Sequence, residues 1–121
     1  MILYLAADLL WATRIKATAE SLGLAARPVR TLDMLEARLA DTQPAAILLD
    51  LEAPDAALAM LARLRGPTAT DRERAIRTLA WSPHVHRELM EQARAAGADE
   101  VLPRGAFDRN LPEILTKLVA G

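Results

Sequence analysis

Short runs of consecutive apolar residues alternate along this chain with longer stretches in which apolar residues recur every three or four positions. The runs Ile2 to Ala7 and Ala45 to Leu49 are apolar without alternation, which is typical of strands buried on both faces of a sheet. The longer stretches have the period of amphipathic helices. The pattern predicts strands at 2–7, 24–29, 45–49, 76–81 and 100–102, and helices at 9–22, 32–40, 55–65, 82–96 and 108–119.

Strand and helix alternate five times with short connections. Strands that are joined by helices in this way form parallel sheets with helices on both faces. The sequence therefore predicts an α/β, flavodoxin-like (βα)5 three-layer sandwich with a parallel sheet of order 2-1-3-4-5, formed by residues 1–121 as a single domain. Pro28 interrupts the second strand, which we expect at an edge of the sheet.

Three polar residues stand where predicted strands end: Asp8 after the first, Asp50 after the third and Ser82 after the fourth. In an open parallel sheet of this order, these three strand ends lie side by side, and ligand sites form outside them. We therefore expect the three side chains to come close together at one edge. Asp8 also suits the N-cap of the first helix, as Thr31 suits that of the second and Asp55 that of the third.

The composition narrows the functional classes. The net charge is −1 and acids and bases are interleaved, so neither a direct nucleic-acid interface nor a membrane-surface interface is expected. There is no cysteine, which excludes disulfides and thiolate metal sites. His84 and His86 do not face each other on a helix, so exposed histidines are expected rather than a metal site. No apolar stretch approaches a membrane span and no signal peptide is visible, so we expect a cytoplasmic protein.

The chain resembles the receiver domain of two-component response regulators over nearly its whole length. The acid followed by proline four residues later, in Asp50-Leu51-Glu52-Ala53-Pro54, is similar to the family's phosphoacceptor turn. The stretch Ala95-Ala96-Gly97-Ala98-Asp99-Glu100-Val101-Leu102 is similar to the frequent end of the family's fourth helix and the strand after it. Ser82 and Arg104 fall at the positions of the family's switch hydroxyl and invariant lysine. The resemblance implies a phosphorelay module whose aspartate is phosphorylated with the help of magnesium, and whose partners are sensor kinases, output domains or other signalling proteins.

The chain departs from the family's pattern at the metal site. Ala6 and Ala7 stand where the resemblance places an acidic pair, and alanine has no oxygen with which to bind magnesium. Arg104, which replaces the lysine, is planar and bulkier. These departures predict a degenerate pseudo-receiver, a non-enzymatic module that needs no cofactor and does not depend on phosphorylation of Asp50.

Two alternative functions stay open at this point. The first is a working receiver phosphorylated at Asp50, which would use Mg²⁺, with Asp8, Asp50 and Glu52 as weak candidates for its metal ligands. The second is a flavodoxin-like domain that binds a small ligand at the same strand ends, over the apolar floor of Ala6 and Ala7.

Three residues near these strand ends allow two interpretations each. Ser82 is either a switch hydroxyl or the N-cap of the fourth helix with Pro83 in its first turn, and we favour the cap. Arg104 either forms an ion pair with Asp50 or points into solvent. Trp81 either covers the mouth of the site or packs in the core.

We expect the module to act through contacts with a signalling protein, and a homodimer is an alternative. The surface that the resemblance assigns to such contacts is built by the fourth helix, the fifth strand and the last helix. Its candidate contact residues are Arg87, Met90, Glu91, Arg94, Val101, Arg104, Phe107 and Arg109. Met90 belongs to this surface only if its side chain leaves the core face of the helix.

Overall fold

A computed structural model describes residues 1–82 and 86–120 of the chain. The strands in these ranges are β1 Ile2–Leu5, β2 Ala26–Pro28, β3 Ala46–Asp50, β4 Arg77–Ser82 and β5 Glu100–Pro103. They pair in parallel in the order β2-β1-β3-β4-β5. The predicted α/β architecture and strand order are therefore confirmed, and β2 lies at an edge as its proline indicates.

The helices in the described ranges are α1 Leu9–Ser21, α2 Leu32–Asp41, α3 Pro54–Arg65, α4 Asp71–Arg74, α5 Arg87–Ala95, α6 Arg104–Arg109 and α7 Leu111–Ala120. Helices α2, α3 and α5 pack on one face of the sheet, and α1, α6 and α7 pack on the other. The continuous apolar strands require both layers, because each strand has two apolar faces to bury. No helix in the described ranges is long and apolar enough to span a membrane.

Alternate residues of the strands enter two separate cores. Leu5 and Leu49, which are paired in register, belong to the core under α2, α3 and α5. Tyr4 and Leu48, one residue earlier on each strand, belong to the core under α1, α6 and α7. Asp50 follows Leu48 by two residues, so its side chain is on the same face of the sheet, at the C-terminal end of β3.

Of the N-caps predicted for the first three helices, two are correct. Asp8 and Thr31 cap α1 and α2 through side-chain hydrogen bonds. The prediction for Asp55 is wrong, because α3 begins one residue earlier, at Pro54. Proline lacks the amide hydrogen that a helix start leaves unpaired and has the right φ, so it replaces a side-chain cap here. Ala53, the residue before it, forms no side-chain cap bond.

The last predicted helix is two helices in the structure. The helical segment begins at Arg104 and is divided at Asn110 into α6 and α7. A continuous helix would need an amide hydrogen at Pro112, which proline lacks, so the break next to it has a simple cause. Phe107 of α6 lies in the core under α1, α6 and α7.

Arg65 joins α3 to the starts of β4 and β5, at the N-terminal ends of the strands, whereas Asp50 lies at a C-terminal end. Its side chain is 20% exposed. The guanidinium donates to the carbonyl oxygens of Gly97, Arg74 and Ile76, to Thr78 Oγ1 and to Asp99 Oδ2, at 3.0–3.2 Å. The acceptors lie in two segments, residues 74–78 and 97–99, which come together with α3 only in the folded chain.

Candidate functional site

Asp50 ends β3 between apolar neighbours. Trp81 of β4 is its partner in register. On the other side, Leu5 of β1 pairs with Leu49, so the next residue, Ala6, reaches the level of Asp50. Asp50 is only 1% exposed. The acid that the sequence singles out is thus buried in a row of apolar residues at the C-terminal ends of the strands.

Both carboxylate oxygens of Asp50 accept backbone hydrogen bonds. The amide of Ala7 donates to Oδ2 at 2.8 Å, and the amide of Glu52 donates to Oδ1 at 2.9 Å. The first bond ties the connection after β1 to β3. The second closes an Asx-turn, which leads the chain from β3 into α3. In this arrangement the carboxylate holds together the connections that follow β1 and β3.

The surroundings of Asp50 disfavour its charged form. Burial raises the pKa of Asp50 above its ordinary value of 3.8, while the hydrogen bonds from the Ala7 and Glu52 amides lower it. The nearby negative charges of Glu52 and Asp8 raise the pKa further. The charges of Asp8 and Glu52 are thus near enough to act on the Asp50 carboxylate.

The residues at the C-terminal ends of β1 and β3 do not provide the oxygen ligands that a magnesium ion needs. Ala6 and Ala7 have no side-chain oxygen, and Oδ1 of Asp8 accepts the amide of Trp11 at 2.8 Å as the cap of α1. Among residues 1–82 and 86–120, no group of three or more His, Cys, Asp or Glu side chains is placed to hold a metal ion. A hard divalent cation needs several oxygen ligands, and the side chains of Ala6 and Ala7 supply none.

Trp81 packs in an aromatic cluster with Trp11 and Phe107. The rings of Trp81 and Phe107 are stacked, with centroids 4.4 Å apart, and Trp11 lies 5.8 Å and 5.4 Å from them. Trp81 and Phe107 are fully buried. The core interpretation of Trp81 is therefore correct, and the placement of Phe107 on the partner surface is wrong. The four-residue spacing of Phe107, Leu111 and Leu115, all fully buried, is the sequence signal that places Phe107 inside.

Ser82 is the last residue of β4 and is 2% exposed. The described helix after it begins at Arg87, and its N-cap is His86, whose Nδ1 accepts a backbone amide at 3.3 Å. The N-cap interpretation of Ser82 is therefore wrong. His86 is exposed as expected. Pro83 and His84 lie outside the described residues.

Arg104 is exposed at the first position of α6. None of the ion pairs within the described ranges joins it to Asp50, so of the two interpretations the structure agrees with the one in which Arg104 points into solvent. Arg109, at the other end of α6, is also exposed. Amide hydrogens, rather than a cation, are thus the polar partners of the buried carboxylate.

Four of the predicted contact residues, Arg87, Met90, Glu91 and Arg94, line one shallow depression of about 340 Å³ on α5. The three charged residues are exposed, whereas Met90 is 8% exposed and stays in the core, forming the floor. Val101 is 7% exposed and is therefore also a core residue, which corrects its assignment to the contact surface. The surface that remains on α5 is mainly charged.

A larger groove of about 730 Å³ lies away from Asp50, at the N-terminal ends of β4 and β5. Its lining includes Arg77, Thr78, Glu100 and Lys117. The small-ligand alternative places its ligand at the C-terminal ends of the strands, over Ala6 and Ala7. This groove lies at the N-terminal ends and does not support that placement.

Comparison of the sequence with models of known families and with curated proteins gives no match. Solved structures do match. A response regulator signal receiver domain from Bermanella marisrubri is 22% identical, with a TM-score of 0.80 over 98% of this chain and 96% of that one. A response regulator from Thermotoga maritima is 14% identical, with a TM-score of 0.79 over 99% and 97%. The signal receiver domain of a signal transduction histidine kinase from Syntrophus aciditrophicus is 21% identical, with a TM-score of 0.81 over 99% and 89%. The chain therefore has the fold of response regulator receiver domains.

Proposed function

We propose that this chain is a non-enzymatic signalling module of the two-component type, which acts in the cytoplasm through protein contacts and without phosphorylation of Asp50. The observation that carries the proposal is the state of Asp50, which is 1% exposed and has both oxygens bound to backbone amides. A carboxylate in this state serves as a brace for the fold.

The chemistry of phosphorylation supports the same proposal. A phosphoacceptor carboxylate must reach a phosphoryl group that is itself negative, so transfer depends on cations that offset the repulsion. Here Ala6 and Ala7 replace the metal-binding acids, and Arg104 forms no ion pair with Asp50. Asp8 and Glu52 add negative charge beside Asp50, which increases the repulsion.

The proposed partner is a sensor kinase, an output domain or another signalling protein, because structures similar to this chain come from response regulators and a histidine kinase. The proposed contact surface is the charged exterior of α5 together with α6. Its exposed candidates are Arg87, Glu91, Arg94, Arg104 and Arg109. Exposed arginines suit a partner surface that carries carboxylates.

A titration followed by amide NMR tests the proposal. Magnesium with beryllofluoride, a phosphoryl mimic, is added to the labelled domain, and the Asp50→Asn variant serves as the control. We expect the spectrum to stay unchanged. Shifts that centre on Asp50, Ser82 and Arg104, spread to α5 and are absent from the control would show that phosphorylation chemistry survives, and the proposal would be wrong.

The alternative is a working receiver phosphorylated at Asp50 with Mg²⁺. The charges of Asp8 and Glu52 act on Asp50, so these three acids are the candidate metal ligands of this alternative. Magnesium affinity measured by calorimetry separates the two functions. Affinity in the millimolar range or better that is lost in Asp8→Ala supports the alternative, and absence of magnesium binding supports the pseudo-receiver.

A further inference from the structure

The groove at the N-terminal ends of β4 and β5 has the size of a small-molecule site. Its volume is about 730 Å³, within the range of a few hundred to about a thousand Å³ that such sites occupy. Its lining comes from the start of β4, from β5 at the edge of the sheet, and from α6 and α7. The Asp50 carboxylate lies at the opposite ends of the strands, so other residues would bind a ligand in this groove.

Part of this lining is apolar. Leu102 of β5 and Leu118 of α7 are partly exposed, and both pack against the core under α1, α6 and α7. Ile114, one turn before Leu118, belongs to the same core and is 9% exposed. Together these residues leave aliphatic surface in the groove, which favours a ligand with an apolar portion that covers it.

Arg77 supplies a fixed positive charge to the groove. Its side chain is partly buried, and Nη1 donates to the carbonyl oxygen of Lys117, in the last turn of α7, at 2.9 Å. A guanidinium has five N–H donors, and this bond uses one of them. None of the ion pairs among residues 1–82 and 86–120 includes Arg77. An arginine that is anchored in this way and has no acid beside it suits a carboxylate, which its other donors can bind.

Two acids line the same groove. Glu100 of β5 and Glu113 of α7 are exposed, and neither takes part in an ion pair within the described ranges. The same holds for Lys117, the second cation of the lining after Arg77. The groove therefore offers a ligand two cations and two acids, and the four charges sum to zero.

The remaining charges of the lining already have partners. Asp99 forms an ion pair with Arg65 at 3.1 Å. Arg74 lies 3.9 Å from the carboxylate of Asp71 and donates to the carbonyl oxygen of Gly66 at 2.9 Å. These two residues therefore do not disturb the balance between the two cations and the two acids.

We infer that this groove binds a free amino acid with a large apolar side chain. Its carboxylate accepts hydrogen bonds from Arg77, with Lys117 as the second cation. Its ammonium faces Glu100 or Glu113, and its side chain covers the aliphatic part of the lining. A purely anionic ligand is a poorer occupant because the two acids repel it, and a purely cationic ligand is poorer because the two cations do. The inference goes beyond the proposed function and does not depend on it.

The test titrates L-phenylalanine into the labelled full chain, and binding is followed by amide NMR and calorimetry. Phenethylamine, which lacks the carboxylate, and hydrocinnamate, which lacks the ammonium, are matched controls. We expect L-phenylalanine to bind in the millimolar range or better, with shifts centred on residues 76–78, 99–102 and 113–118. Each control compound should bind at least about tenfold more weakly, because it leaves charges of one sign in the groove without a partner.

Two sets of variants test the charges separately. Arg77→Met should weaken the binding of L-phenylalanine by at least about tenfold. Arg27→Met, which changes an exposed arginine of β2 at the other edge of the sheet, should leave it unchanged. E100Q/E113Q changes two exposed residues, so it should fold normally even if Arg77→Met does not. It should weaken the binding of L-phenylalanine and strengthen that of hydrocinnamate, because the groove becomes net positive.

Several results would overturn the inference: no binding of L-phenylalanine at millimolar concentrations, equal binding of hydrocinnamate, unchanged affinity in both Arg77→Met and E100Q/E113Q, or shifts centred on Asp50. Sedimentation of the chain alone tests a second copy as the occupant. Self-association of the wild type that is lost in Arg77→Met would mean that another copy covers the groove, and the inferred ligand would be wrong. The proposed function is tested separately by the titration with beryllofluoride.

Discussion

Replacement of Arg65 by methionine should cost about 3 to 4 kcal/mol of unfolding free energy. Two of its hydrogen bonds, to the carbonyl oxygens of Gly97 and Ile76, are partly buried and charge-assisted, and each contributes about 1.5 kcal/mol. The bonds to Arg74 and Asp99 are exposed and the bond to Thr78 Oγ1 is long, at 3.2 Å, so these three together add only about 1 kcal/mol or less. Methionine keeps most of the apolar stem, so the loss measures the guanidinium.

The assay for Arg65→Met is urea unfolding at pH 7, followed by far-UV circular dichroism. Thermal unfolding gives a second readout: for a chain of 121 residues, 1 kcal/mol corresponds to about 4 °C in Tm, so the expected fall in Tm is roughly 12 to 16 °C. Arg72→Met, which changes an exposed arginine of α4, is the matched control and should fall within about 0.5 kcal/mol of the wild type. If Arg65→Met costs less than about 1 kcal/mol, or no more than the control, Arg65 does not hold the starts of β4 and β5 together.

Four other variants test separate parts of the structure. Gly97→Ala should destabilise the chain by at least about 1 kcal/mol in urea unfolding, because Gly97 has a φ of +109° and a Cβ there would lie 2.6 Å from Arg65 Cγ; wild-type stability would contradict this. Phe107→Ala should cost about 3 to 5 kcal/mol, since it empties the space stacked on Trp81; a loss below 1 kcal/mol would mean that Phe107 is a surface residue. Asp8→Ala should lower the unfolding free energy by about 1 kcal/mol through loss of the α1 cap, with no effect expected if the bond to Trp11 is absent in solution. Because the pKa of Asp50 is raised in the folded chain, the wild type should lose stability relative to Asp50→Asn as pH rises from about 4 towards neutral; parallel stability curves for the two proteins would contradict that direction.

Local patterns in the sequence were sufficient for most of the fold. The unbroken apolar runs predicted strands buried on both faces, and the alternation with helices predicted the parallel sheet and its order, both of which the structure contains. Asp8 and Thr31 were recognisable as caps because capping depends on residues within one turn of the helix. The failures lie where a neighbour in sequence competes: Pro54 displaces Asp55 as the start of α3, and Pro112 stands where the final helix divides.

The sequence by itself determined the sheet, the position of Asp50 at a strand end and the lack of acids at positions 6 and 7, because each depends on residue type and short-range periodicity. Only the tertiary structure decided that Asp50 is sealed, since its amide partner Ala7 is 43 residues away along the chain. The stacking of Phe107 on Trp81 and the exposure of Leu9 and Leu10 were decided in the same way. A helical period shows which apolar residues share one face of a helix. The helices and strands packed around that face determine whether water reaches it.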